Sequence, residues 1–361
     1  TKPSLLLKGD TPRLLDEWQT APVLWDAVRF MVDQRGKSGQ FILTGSAVPK
    51  DNVVRHTGTG RISRLLMRPM SLYESMESNG SVSLKALFDG ETEIDNFSTL
   101  TIEQIAFAIV RGGWPASIGK SEKIALRHAI DYVEAIINAD VSRVDGIEKN
   151  PVRVRALLRS LSRNISTLAT IRTIHDDIAM GDADGSISEK TISQYLGALD
   201  RIFVTENLPA WNPALRSKTA IRTSPKRQFV DPSIAAAVLR LTPSRLLEDF
   251  NYFGFLFESL CDRDLRIYAE AIDGQVFHYR DASGLEADAV IALNDGRWAA
   301  VEVKLGSKEI EDAAVHLLEL KNKVNTEKMR EPSFLMILTG TEIAYRREDG
   351  VYVVPLGCLK E

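Results

Sequence analysis

Cysteine is nearly absent: Cys261 and Cys358 are the two in 361 residues. That rules out a disulfide framework and fits a reducing, cytoplasmic compartment. No apolar run approaches the roughly 20 residues that span a bilayer, so no membrane contact is expected. A net charge of -4 and a pI near 5.9 leave no global positive excess for coating nucleic acid, although a local basic face is compatible with both. The beginning, Thr1-Lys-Pro-Ser4, has neither an initiator Met nor a charged-then-apolar leader pattern, and it reads as the middle of a longer protein. The chain also lacks internal repeats, low-complexity tracts, and any glycine-rich phosphate cradle followed by Lys and Ser or Thr.

The length exceeds what one hydrophobic core usually organises. A strand at Arg13 to Leu15, a helix near Ala21 to Gln34 and a strand at Gln40 to Thr44 give the αβ rhythm of a parallel sheet. Helical periodicity covers Glu103 to Ala139, broken at Arg111-Gly-Gly-Trp-Pro115, and resumes from Pro151 to Ser162. Ser188 is the expected N-cap of a helix running to Phe203. Residues 211 to 230 then hold Arg216, Lys218, Arg222, Lys226 and Arg227 without an acid. Helices followed by a basic extended segment suggest a winged-helix-like module, in which Lys190, Lys218, Arg222, Lys226 and Arg227 would meet DNA phosphates. The last third predicts a helix, strands and an intervening helix: Asn251 to Ala271, Val276 to Tyr279, a hairpin, Lys308 to Val324, Phe334 to Thr339, and a strand pair around Ala344 to Val354. The expected class is therefore a multidomain chain of α/β and α+β parts. Its divisions are expected at 1–75, 76–145, 146–230 and 231–361.

The hairpin carries the first candidate site. If Asn294, Asp295 and Gly296 form a three-residue loop with Gly296 left-handed, Leu293 faces Arg297 and the register is set. Asp288 then lies opposite Glu302, and Glu286 opposite Lys304, with Ala287, Ala289, Ile291, Ala299, Val301 and Val303 on the other face. Opposed carboxylates repel unless a cation or proton lies between them, and a pair of this kind suits Mg²⁺ or Mn²⁺. Lys304 could hold charge developing on a phosphate oxygen. Glu258, in Phe253-Gly-Phe-Leu-Phe-Glu-Ser-Leu260, is an available third acid. Glu258, Asp288 and Glu302 are thus the candidate metal ligands. The alternative is an ordinary half-exposed hairpin with cross-strand ion pairs.

A second constellation follows the N-terminal strands. Carboxyl ends of parallel strands line a ligand crevice. There Asp16 would hold Mg²⁺ through water, Glu17 would polarise an attacking water, and Thr44 or Ser46 would sense a γ-phosphate of ATP. Arg61 could serve as an arginine finger, in its own copy or in a neighbouring one. The bland alternative is an acidic dipeptide that only begins a loop.

In order along the chain come Leu14-Leu-Asp-Glu-Trp-Gln19, Ile42-Leu-Thr-Gly-Ser46, Gly60-Arg61 with Arg68-Pro-Met-Ser-Leu72, Arg111-Gly-Gly-Trp-Pro115, Phe229-Val-Asp-Pro232, Gly254-Phe-Leu-Phe-Glu258, Glu286-Ala-Asp288 and Glu302-Val-Lys304. Together they resemble the prokaryotic AAA-type ATPases whose C-terminal domain of unknown function has a PD-(D/E)XK nuclease-like core. The resemblance implies a truncated P-loop ATPase core, a helical lid, a winged-helix-like middle and a restriction-nuclease-like mixed sheet flanked by helices. It also implies that the P-loop lies upstream of Thr1, that ATP is bound by the longer protein, and that copies assemble through the ATPase core. Glu258, Asp288, Glu302 and Lys304 would form the acid-rich nuclease centre. Three functions follow as expectations: an ATPase coupled to a metal-dependent nuclease acting on DNA, a non-catalytic DNA- or protein-binding regulator, or a nucleotide-driven switch.

Overall fold

The computed structural model describes residues 3–47, 60–91, 93–144, 147–181, 187–214 and 221–361. Strand β1 (Arg13–Leu15) pairs in parallel with β2 (Phe41–Leu43), and helix α1 (Val23–Arg35) connects them. The two strands match their expected positions because each is a compact apolar run bounded by turn residues.

The next segment contributes to distant parts of the chain. Strand β3 (Val82–Ser83) runs into the short helix α2 (Leu84–Phe88), where the Ser83 hydroxyl accepts from the Ala86 N–H. Strand β4 (Asp95–Phe97) pairs far along the chain, with residues 343 to 345. Helix α3 (Ile102–Arg111) begins with a reciprocal cap between Thr101 and Gln104. It stops where paired glycines follow, as expected of Arg111-Gly-Gly. Helix α4 (Glu122–Ala135) continues through a π-turn into the short α5 (Val141–Arg143).

Helices α6 (Pro151–Arg163), α7 (Ile171–Gly181) and α8 (Glu189–Arg201) follow. Ser188 caps α8 as expected, accepting from the Thr191 N–H. No helix was expected at α7, whose single apolar stripe holds just Ile174 and Ile178 in the interior. A ribbon follows, in which Thr205 bridges Phe229 and Leu208 bridges Lys226 in antiparallel fashion. Two short helices, α9 (Ser233–Val238) and α10 (Pro243–Leu247), lead to the 22-residue α11 (Phe250–Ala271).

The remaining strands are β5 (Gly274–Arg280), β6 (Glu286–Leu293), β7 (Trp298–Lys304), β8 (Phe334–Thr339), β9 (Ile343–Arg346), β10 (Tyr352–Pro355) and β11 (Leu359–Lys360), with α12 (Ile310–Lys323) crossing between β7 and β8. They build a seven-stranded mixed sheet in the order β4-β9-β10-β8-β7-β6-β5, while β11 pairs with β3. One sheet face, through Ala289, Ile291, Val301 and Met336, packs into the large core shared with α11 and the middle helices. The other, through Val290, Trp298, Ala300 and Ile337, packs against α12. The expected mixed sheet flanked by helices is therefore present. No helix among the described residues is long and apolar enough to cross a membrane.

The hairpin loop forms as expected: Gly296 has φ of 86°, its N–H donates to Leu293 O, and the Leu293 N–H donates to Arg297 O at 2.8 Å. Ala289 then faces Val301 and Ile291 faces Ala299. One feature of β6 escaped the alternation rule. Phe277 pairs with Val290 and Tyr279 with Ala287, which leaves His278 opposite both Asp288 and Ala289. This one-residue bulge inverts the faces beyond it. Ala287, expected beside Ala289, instead lies in the α12-side core.

Candidate functional site

The bulge places Asp288 at the meeting point of α11, β6, β7 and the ribbon. The ladder between β6 and β7 ends at Ala289–Val301, one step short of the expected pairing of Asp288 with Glu302. Asp288 Oδ2 instead accepts from the Val303 N–H at 2.8 Å. Glu286, expected opposite Lys304, pairs with Arg280 of β5 at 3.2 Å. The register on its other side explains this, since Arg280 and Glu286 are direct neighbours in the sheet.

Glu258, Asp288, Glu302 and Lys304 do come together, and a second lysine joins them. Lys226 Nζ donates to Glu258 Oε1 at 2.5 Å and to the Asp288 carbonyl at 2.8 Å, and it lies 3.7 Å from Asp288 Oδ1. Lys304 Nζ donates to Glu302 Oε2 at 2.7 Å and lies 3.5 Å from Asp288 Oδ2. The result is an alternating row: Glu258, Lys226, Asp288, Lys304, Glu302. Glu302 is 2% exposed, and its Oε1 has no hydrogen-bond partner among the described residues.

Burial and neighbouring charge set the protonation of this row. Burial pushes Glu258 up to about 8, against the attraction of Lys226. Burial and the charge of Asp288 push Glu302 well above the usual carboxylate range. Asp288 goes the other way: burial opposes its charge, but Lys226 and Lys304 outweigh it and hold the group low. Burial likewise opposes charge on the two lysines, yet the acids around them keep both above the ordinary lysine value.

Whether a divalent cation fits can be read from these contacts. The donor set has the right chemistry, with three carboxylates, a carbonyl and one carboxylate oxygen without a partner. The space between the carboxylates is nevertheless taken by ammonium groups. Among the described residues no group of three His, Cys, Asp or Glu side chains is arranged to hold a metal ion. In this arrangement the row does not accept Mg²⁺ or Mn²⁺.

The N-terminal constellation is different. Asp16 Oδ1 accepts from the Thr44 hydroxyl at 2.6 Å, and Glu17 Oε2 accepts from the Ser46 hydroxyl at 2.9 Å. Both acids are exposed at the carboxyl ends of β1 and β2. Glu17 has a φ of 50°, a left-handed conformation costly for a residue with a side chain and typical of constrained functional turns. These acids are exposed and bonded by hydroxyls and, at Glu17 Oε2, also by the Gln19 amide, with no ammonium of the described residues between them, which suits a hydrated cation. Arg61 is engaged with Asp33 of α1 at 2.5 Å.

The expected nucleic-acid residues separate into three groups. Lys190 and Arg222 are exposed, and Lys218 lies outside the described residues. Lys226 and Arg227 are buried, which corrects the expectation that they meet phosphate. Lys226 serves the acid row, and Arg227 Nε donates to the Ala169 carbonyl at 2.9 Å.

A buried ionic junction escaped sequence reasoning. Arg263 of α11 bridges Asp231 at 2.9 Å and Asp264 at 2.8 Å. Asp231 Oδ2 also accepts from the Gly113 N–H, Asp264 Oδ2 accepts from the Leu72 N–H, and the Met70 N–H donates to Gly113 O at 2.7 Å. Arg111 forks onto Glu77 at 2.6 and 2.7 Å, and Arg68 contacts Glu206 and Glu270. The motifs around Arg68, Arg111, Asp231 and α11 therefore form one joint. The available signal was Asp262-Arg-Asp264 inside a helix whose apolar residues on both sides demand burial.

Residues 3–76 match the AAA domain family, residues 102–245 a domain of unknown function (DUF8612), and residues 253–359 another (DUF4143). The N-terminal segment is thus similar to AAA domains over residues 3–76. No curated protein matches it. The solved half-complex from the tetradecameric assembly of Thermococcus gammatolerans McrB AAA+ hexamers with bound McrC is similar over 58% of this chain and 72% of that one. The identity is 10% and the TM-score 0.23, too low to carry any conclusion about fold or partners.

Proposed function

We propose that this chain works within an ATP-dependent AAA-type protein that couples nucleotide state to a PD-(D/E)XK-like nuclease domain acting on DNA. The AAA match supports nucleotide use, typically with Mg²⁺. On this reading Asp16 and Glu17 hold and orient the hydrated cation and water, and Thr44 and Ser46 face the γ-phosphate. Bound Mg²⁺ would supply charge neutralisation for phosphoryl transfer. Arg61 would have to leave Asp33 to reach a nucleotide. The joint from Arg68 to Glu77 supports coupling, because it links the end of the AAA segment to α11, which carries Glu258.

The single observation that carries the nuclease half is the convergence of Glu258, Asp288, Glu302 and Lys304 from α11, β6 and β7. Lys190 and Arg222, with Lys218, would contribute salt-dependent contacts to DNA. Incubating the protein with single-stranded, duplex and branched DNA, Mg²⁺ or Mn²⁺ and ATP tests the reading. Cleavage that disappears in Glu302→Ala and Asp288→Ala supports it, and identical behaviour of parent and variants removes it.

A second reading has its own observation. The two ammonium groups between the acids favour a non-catalytic domain that keeps a nuclease-like core for binding DNA or protein, since a shared fold does not by itself bring cleavage. Under it, salt-sensitive DNA binding persists in Glu302→Ala while no DNA form is cut.

A further inference from the structure

We infer that Lys226 is a resident counter-ion standing where a divalent cation would lie between Glu258 and Asp288, so that these two acids take no metal while this lysine is in place. The inference uses the acids of the proposed nuclease centre and adds its regulation. Lys226 is not part of the strands and helix that carry those acids. It comes from the ribbon, within residues 102–245, whereas Glu258, Asp288 and Glu302 all lie within residues 253–359. One matched unit thus inserts a side chain into the acid centre of another.

The insertion is firmly built. Lys226 and Leu208 exchange two backbone hydrogen bonds of 2.9 Å, and the neighbouring Arg227 donates its N–H to Thr167 O at 2.8 Å. The ribbon also reaches β5 at the bulge: the His278 N–H donates to Pro209 O at 2.9 Å, and His278 Nε2 lies 2.9 Å from Ser224 O. The ribbon around Lys226 is therefore tied both to the loop between α6 and α7 and to the residue opposite Asp288. Without that ammonium, Glu258 and Asp288 would face one another across the position it fills. Two carboxylates facing one another need a proton or a cation between them.

Calorimetric titration of the whole chain with Mn²⁺, with melting followed in the same samples, tests this. Titrated without ATP or DNA, the parent should show no saturable Mn²⁺ site at this centre. Lys226→Met should gain one site that binds at least tenfold more tightly than any in the parent, and Mn²⁺ should raise its melting temperature. The gain should vanish in Lys226→Met/Asp288→Asn and in Lys226→Met/Glu258→Gln. Equal Mn²⁺ binding by parent and Lys226→Met overturns the inference. So does a Lys226→Met chain that stays unfolded in Mn²⁺, because the ion then fails to replace the ammonium. A variant that binds Mn²⁺ but cuts no DNA leaves the inference standing and removes the nuclease reading instead.

Discussion

The two acid groups of this chain contain the same side chains and reach opposite electrostatic solutions. Asp16 and Glu17 lie exposed at strand ends and are held by hydroxyls, so their charge is shared with solvent. Glu258, Asp288 and Glu302 lie in the interior, where an unpaired carboxylate is too costly, and Lys226 and Lys304 alternate with them. The contrast teaches that acid spacing alone does not define a metal site. Burial decides whether a carboxylate is left to solvent and hydroxyls or takes a cation from its own chain.

The contrast breaks most sharply where buried charges lose a partner. Arg263→Met should leave Asp231 and Asp264 unpaired in the interior, at a cost of about 3–5 kcal/mol measured by urea unfolding. Lys226→Met without metal should fall in the same range for the same reason. Gly113→Ala should cost about 1–3 kcal/mol, because its Cβ would come within 2.1 Å of Met70 O at the junction.

The pH dependence sharpens the comparison further. Glu258, raised to about 8 in the folded state, binds a proton that the unfolded chain has released. Stability from this group is present below the ordinary glutamate value and lost as pH rises through about 8. His278 acts oppositely: burial holds it down to about 4, so its contribution is present above the ordinary histidine value and lost as pH falls. Between about pH 6.5 and 8 the carboxylate effect is left to dominate, so stability should decline, and Glu258→Gln should flatten the decline in a series of urea curves. At the exposed pair, Glu17→Gln should change stability by no more than about 0.5 kcal/mol in the same assay.

What the sequence revealed follows the range of the interactions involved. The loop Asn294-Asp-Gly296, the cap at Ser188 and the strands β1, β2 and β8 were legible because neighbours within a few residues determine them. That Asp16, Glu17, Thr44 and Ser46 share one crevice was legible because parallel strands bring their carboxyl ends together, but their individual pairings were not. Lys226 read as a surface base, because its partners Glu258 and Asp288 lie 32 and 62 residues away. The bulge at Asp288 was hidden, since alternation assumes one residue opposite one. Strand β4 was illegible too, being a three-residue edge strand whose partner is more than 240 residues distant in sequence.

Anomalous diffraction from Mn²⁺-soaked crystals of the parent and Lys226→Met proteins tests the central claim most directly. A peak between Glu258 and Asp288 in the variant, with none there in the parent, is the expected result. A peak among those carboxylates in the parent, with Lys226 still bonded to Glu258, would contradict the account.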